Sequence, residues 1–154
     1  MGLFLRYTLD VANDANENVT TKLIETLLDH IADGTLPVPI QSLNVIDEAL
    51  KNVKDHTNSR AYLYIFTTSS KVFYGIFDLG GGPKKPLEWC KENNNTTKEG
   101  NLGLGFGWMK VVSEPIGMKI KIIRLWKLYG YFCWLPKHYK KRKKEITDGN
   151  YSHS

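Results

Sequence analysis

The chain has 154 residues, of which 42% are hydrophobic and 24% charged, as in a globular domain that buries its own core. It contains no run of about 18 apolar residues, so a membrane-spanning helix is not expected. Two cysteines without metal-ligand spacing, Cys90 and Cys133, favour the reducing cytoplasm. Residues 137–154 hold six Lys or Arg and two acids, which is +4 of the net charge of +5. We therefore expect a nearly neutral domain over residues 1–136, followed by a basic, disordered tail.

The first part of the chain predicts one strand and two helices. Apolar side chains alternate over residues 3–10, which is typical of a strand. From Val19 onward they recur every three or four positions, which predicts an amphipathic helix that ends at Gly34. Ser42 can cap a second helix over residues 43–56.

The second part predicts two hairpins separated by a polar loop and a short helix. Residues 60–66 and 71–78 are rich in aromatic and β-branched side chains and predict paired strands. Residues 83–101 are polar and rich in turn-forming residues, which predicts a long loop of a type that is often functional. A helix then starts near Gly105, and the last hairpin turns around Gly130. Together these elements predict an α/β (α+β) two-layer sandwich, in which a mixed, mostly antiparallel sheet is covered on one face by about three helices.

Three segments carry residue types suited to a nucleotide. Glu48 and Asn52 lie four residues apart on the second helix, so their side chains share one stripe. The neutral oxygen of an Asn suits a magnesium ion already bound by phosphates, and a neighbouring Glu can act as a general base. The alternative for this pair is a solvated polar edge of the helix.

The other two segments are rich in glycine. Asp78 ends a predicted strand, where a carboxylate can accept a hydrogen bond from the amino group of adenine, and the glycines after it let the backbone turn beneath the base. The glycines of residues 103–107 precede a helix, whose exposed amides and dipole favour phosphate. The alternatives are a glycine loop with a capping Asp and a flexible lid without a ligand. Neither a P-loop nor a Rossmann fingerprint fits the spacing.

The order of these segments resembles the GHKL superfamily, whose members share the Bergerat ATP-binding fold. Residues 45–57 resemble its N box, residues 78–82 its G1 box and residues 100–107 its G2 box. Residues 130–136 are similar to the closing strand of the kinase-type members, which include histidine-kinase-like ATPase domains. The resemblance covers roughly residues 1–136, and its nearest members are the small anti-sigma-factor serine kinases.

That resemblance implies a role for each matching residue. Glu48 would be the catalytic base toward a protein serine, and Asn52 would be the ligand of Mg²⁺. The residues implied to bind ATP are Asn52, Asp78, Gly80, Gly82, Thr97, Lys98, Gly103, Leu104 and Gly105.

Two positions depart from the family pattern and leave the activity open. Pro83 stands where the family usually has an aliphatic residue, and Asn101 stands where it has a glycine or an arginine. Because phosphoryl transfer depends on stabilising charge at the terminal phosphate, ATP binding is better supported than transfer. The leading expectation is a cytoplasmic regulatory serine/threonine kinase that binds and phosphorylates a protein partner. The alternatives are an ATP-gated protein-binding switch and a stand-alone histidine-kinase-like catalytic domain. A homodimer follows from family analogy only, and nucleic acid is not an expected partner.

Overall fold

The computed structural model describes residues 2–10, 18–56, 60–80 and 105–138. None of the helices within these ranges is both long and apolar enough to cross a membrane. A short 3₁₀ turn, Glu114–Ile116, follows the third helix. The elements are β1 (Phe4–Asp10), α1 (Asn18–Ala32), α2 (Ser42–His56), β2 (Arg60–Thr67), β3 (Lys71–Asp78), α3 (Gly105–Ser113), β4 (Lys119–Leu125) and β5 (Leu128–Pro136).

The five described strands form one open sheet in the order β1-β2-β3-β5-β4. This agrees with the predicted two-layer α+β sandwich. The expectation of a mixed sheet is wrong for the described strands, since every neighbouring pair is antiparallel. The two helices between β1 and β2 explain the difference. One helix would return the chain to begin a parallel strand, whereas α1 and α2 together bring it back to the end where β1 stops.

The core lies between the helices and one face of the sheet. Helix α1 buries Leu23, Leu27 and Ile31, which recur every four residues as the amphipathic pattern predicts. Facing them, β2 buries Leu63 and Ile65 completely. Each such side chain contributes about 1.5–3 kcal/mol by leaving water. This layer packs α1 and α2 against the sheet and therefore positions the polar side chains at its margin.

One buried polar contact joins α2 to the centre of the sheet. The Tyr74 side chain on β3 is fully buried, and its hydroxyl lies 3.5 Å from Oγ of Ser42 at the start of α2. Burial raises the pKa of Tyr74, so the phenol stays neutral. Ser42 is also buried, so this long contact brings together two hydroxyls on the inside of the protein.

The last hairpin turns earlier than expected. Its tip is Trp126 and Lys127, where Trp126 has a φ of 53° and is 88% exposed. The prediction of a turn at Gly130 is therefore wrong, because Gly130 lies inside β5 opposite Phe77. The helix predicted near Gly105 is confirmed.

The chain leaves β5 along the helix side of the sheet. The amide of Lys137 donates to the Ser70 carbonyl at 2.9 Å, and that of His138 donates to the Pro37 carbonyl at 2.7 Å. The rest of the basic tail, residues 139–154, lies outside the described residues.

Candidate functional site

Asp78 ends β3 with its side chain on the face of the sheet that the helices cover. It shares that face with Tyr74 and Ile76 because alternate residues of a strand point the same way. Its side chain is fully buried. Oδ1 accepts a hydrogen bond of 2.5 Å from the amide of Gly80, where the chain turns away. Oδ2 is buried and has no hydrogen-bond partner among the described residues.

This carboxyl group is electrostatically unusual. Burial raises the pKa of Asp78 to about 6, and the hydrogen bond from Gly80 opposes that rise. At neutral pH the group is therefore largely ionised, and its desolvated Oδ2 receives no hydrogen bond from the described part of the chain. Leaving a buried polar atom unpaired costs about 1–3 kcal/mol, and more when it is charged. A ligand donor at Oδ2 would remove that cost, as the amino group of adenine would.

Asn52 lies at the point where α2, α3 and β5 meet. Its Nδ2 donates to the Tyr131 hydroxyl at 3.2 Å and approaches Sδ of Met109 at 3.7 Å. Because the amide is planar, these contacts direct its oxygen to the other side. That oxygen is the atom that would bind a cation. The role of Asn52 as a magnesium ligand stays a prediction.

Tyr131 and Met109 are parts of this site that the sequence did not predict. They lie 79 and 57 residues from Asn52 along the chain. The one signal available was the alternation of β5, which places the polar tip of a tyrosine on the helix-facing side.

Asn52 and Asp78 both lie beside the first part of β5, a region called the corner below. Asp78 is paired with Tyr129 across β3 and β5, and Tyr131 follows two residues along the same face. The rings of Tyr129 and Tyr131 are 6.2 Å apart in an edge-to-face arrangement. Tyr131 in turn holds Asn52, so a pair of tyrosines links the two predicted site residues.

Glu48 lies one helical turn before Asn52 on α2. Its carboxylate is 3.8 Å from Nζ of Lys51, which also forms a closer ion pair of 3.0 Å with Asp47. The Glu48 side chain is a quarter exposed, so water and a partner can reach it. Its role as a base stays a prediction.

The phosphate end of the predicted site falls mostly outside the described residues. These positions are Gly82, Thr97, Lys98, Gly103 and Leu104, together with the departures Pro83 and Asn101. Gly80 is placed beside Asp78, and Gly105 begins α3. Within the described ranges, no three His, Cys, Asp or Glu side chains come together as a metal-binding group.

A separate cleft lies between α1 and α2. It has a volume of about 280 Å³, and Glu25 and Asp47 are among the residues that line it. Neither Asp78 nor Asn52 lines it, so it is distinct from the corner described above.

We compared the chain with known protein families and with curated proteins. The chain matches no protein-family model, and a search of curated proteins gave no match either.

Proposed function

We propose that this chain binds Mg-ATP at the corner formed by Asp78 and Asn52, in the manner of the GHKL superfamily, and that ATP controls a protein partner. The observation that carries the proposal is the buried Oδ2 of Asp78 at the end of β3, which has no hydrogen-bond partner among the residues that the structure describes. A charged oxygen in that position is costly to the fold unless a ligand donor completes it. Such perturbed carboxyl groups are concentrated at functional sites.

Each residue has a distinct part in that binding. Asp78 would accept a hydrogen bond from the adenine amino group. Asn52, oriented by Tyr131, would offer its oxygen to a magnesium ion bound together with ATP. Bound magnesium and ATP supply a reactive phosphoryl group whose charge is partly neutralised.

The leading activity is phosphorylation of a partner serine or threonine. Glu48 would take the hydroxyl proton of the partner side chain, whose oxygen then bonds to the terminal phosphorus as the bond to the leaving ADP breaks. The position of Glu48 one turn from Asn52, partly exposed, is compatible with that approach. The alternative is an ATP-gated switch without transfer, which the asparagine at position 101 favours because no arginine stands there.

Removing the side chain of Asn52 tests the cation end of the site. We expect Asn52→Ala to weaken magnesium-dependent ATP binding about 10- to 100-fold, since a ligand to a charged group is lost. Isothermal titration calorimetry with and without Mg²⁺ measures this. Asn44→Ala, an exposed asparagine on the same helix, is the matched control. Tyr131→Phe removes the hydrogen bond but keeps the amide, and should cost far less. Equal losses in Asn52→Ala and Asn44→Ala would contradict the assignment.

Radiolabelled ATP separates the activities. Incubation with co-purifying proteins should place label on a partner serine or threonine, and Glu48→Gln should reduce that label about 100-fold or more, as loss of a general base does. ATP binding with no transfer to any partner would instead support the switch. Acid-labile label on a partner histidine would support the histidine-kinase-like alternative.

A further inference from the structure

The open face of the sheet, the side away from the helices, is covered with aromatic rings. In most antiparallel sheets the solvent side is polar, so this face departs from the usual alternation. The rings are half-buried against one another, apart from that of Phe4, which is 63% exposed. They belong to Phe4, Tyr62, Tyr64, Phe66, Phe73, Phe77, Phe132 and Trp134.

A gap interrupts this aromatic layer at Gly75. The cross-strand neighbours of Gly75 are Tyr64 on β2 and Phe132 on β5. Tyr64 stacks on Phe77 at 5.7 Å, and Phe132 stacks on Phe73 at the same distance. A Cβ placed on Gly75 would meet no atom within 4 Å. The backbone of β3 therefore forms the bottom of the gap, and two stacked aromatic pairs form its sides.

The charges around the same face are almost all positive. The positive residues lie on four strands: Arg6 on β1, Arg60 at the start of β2, Lys71 at the start of β3, and Lys119 and Lys121 on β4. All five are exposed, and the one carboxylate on the described part of this face is Asp10, opposite Arg60. A second copy of the chain would bring like charges together, whereas a polyanion would be attracted.

We propose that the open face binds single-stranded nucleic acid, with an unpaired base entering the gap over Gly75. Aromatic side chains stack on bases of any sequence, and flanking Lys and Arg follow the phosphate backbone. Both ribose and deoxyribose strands offer this chemistry. The proposal departs from the expectation drawn from the sequence, in which nucleic acid was not a partner. It does not depend on ATP, because Asp78 and Asn52 lie on the other side of the sheet.

Filling the gap is the sharpest test. We expect Gly75→Leu to fold, because a Cβ at this position meets no atom within 4 Å and the backbone has no positive φ there. The probe is a fluorescent single-stranded oligonucleotide of about 12 nucleotides, made as RNA and as DNA, and its binding is followed by fluorescence anisotropy. We expect Gly75→Leu to bind it about tenfold or more weakly than the parent protein does. The full chain is used, so the basic tail contributes equally to both proteins. Circular dichroism and thermal melting confirm that the variant is folded.

Charge reversal gives a matched pair of controls. Lys121→Glu on the open face should weaken binding and reduce its salt dependence, whereas Lys22→Glu, exposed on α1, should change neither. No binding by the parent protein at low salt would overturn the proposal. The proposal would also be overturned if Gly75→Leu bound the oligonucleotide as tightly as the parent, or if the parent bound duplex DNA as tightly as a single strand. A parent dimer that dissociates in Gly75→Leu would overturn it as well, because a second copy would then cover the face.

Discussion

The Asp78→Asn variant is expected to be more stable than the parent protein and to lose ATP binding. The substitution removes a buried charge while keeping the oxygen that accepts from Gly80. The new amide nitrogen would face the adenine amino group, donor against donor. We expect ATP affinity to fall about 10- to 100-fold or more, as when a hydrogen bond to a charged group is lost. A gain in stability with a loss of binding is typical of a functional residue.

The gain in stability should depend on pH in a defined direction. The pKa of Asp78 is about 6 in the folded protein and 3.8 without the fold, so the folded state holds its proton more tightly. Its contribution to the free energy of unfolding is therefore fully present below pH 3.8 and is lost as the pH rises to about 6. Asp78→Asn should escape this loss, and we expect it to gain about 1–2 kcal/mol over the parent above pH 7 after allowance for solvent near the group.

Urea denaturation at pH 4 and pH 8, with calorimetry for ATP, measures both effects. Asp29→Asn, an exposed aspartate on α1, is the control and should shift neither stability nor affinity. If the difference between Asp78→Asn and the parent protein were the same at both pH values, burial of the charge would not be its cause.

The second large effect is expected at Gly130. A Cβ there would lie 2.0 Å from the Ile76 carbonyl oxygen and 2.5 Å from Cα of Phe77. Both are backbone atoms of β3, which cannot move without breaking its pairing with β5. We therefore expect Gly130→Ala to cost about 3 kcal/mol or more, at the upper end for an overpacked site.

Gly75→Ala is the matched control, since it lies on β3 with open space at the same atom. It should be neutral or should stabilise by about 0.5–1 kcal/mol, because glycine is unfavourable within a strand. Chemical denaturation of both variants gives the comparison. If Gly130→Ala and Gly75→Ala lowered the free energy of unfolding equally, the close approach of β3 and β5 would not be the reason that position 130 requires a glycine.

Periodicity predicted the elements well and their pairing less well. The four-residue repeat of α1 and the alternation of β2 and β3 are local, so the sequence contains them directly. The pairing of strands is not local, and the mixed sheet was wrong for that reason. Gly130 was misplaced because a glycine in a turn and a glycine inside a strand that lies close to its neighbour look the same in a sequence.

The site was predictable where it follows from a strand end or a helix stripe. Asp78 and Asn52 were named from such positions, whereas Tyr131 and Met109 meet Asn52 only through the fold. The open face was hidden for a related reason. β2 is apolar on both sides, so its sequence predicts a strand without showing that one side lacks a cover.

The place of β5 has a consequence for synthesis. It is the last described strand to be made, yet it occupies an inner position between β3 and β4. Until residue 136 has left the ribosome, β3 presents bare amide and carbonyl groups beside a layer of aromatic rings. Such an edge recruits other nascent chains. Stalled or prematurely terminated products should therefore aggregate on polysomes, and a chaperone bound near the exit tunnel should raise the yield of the full-length protein.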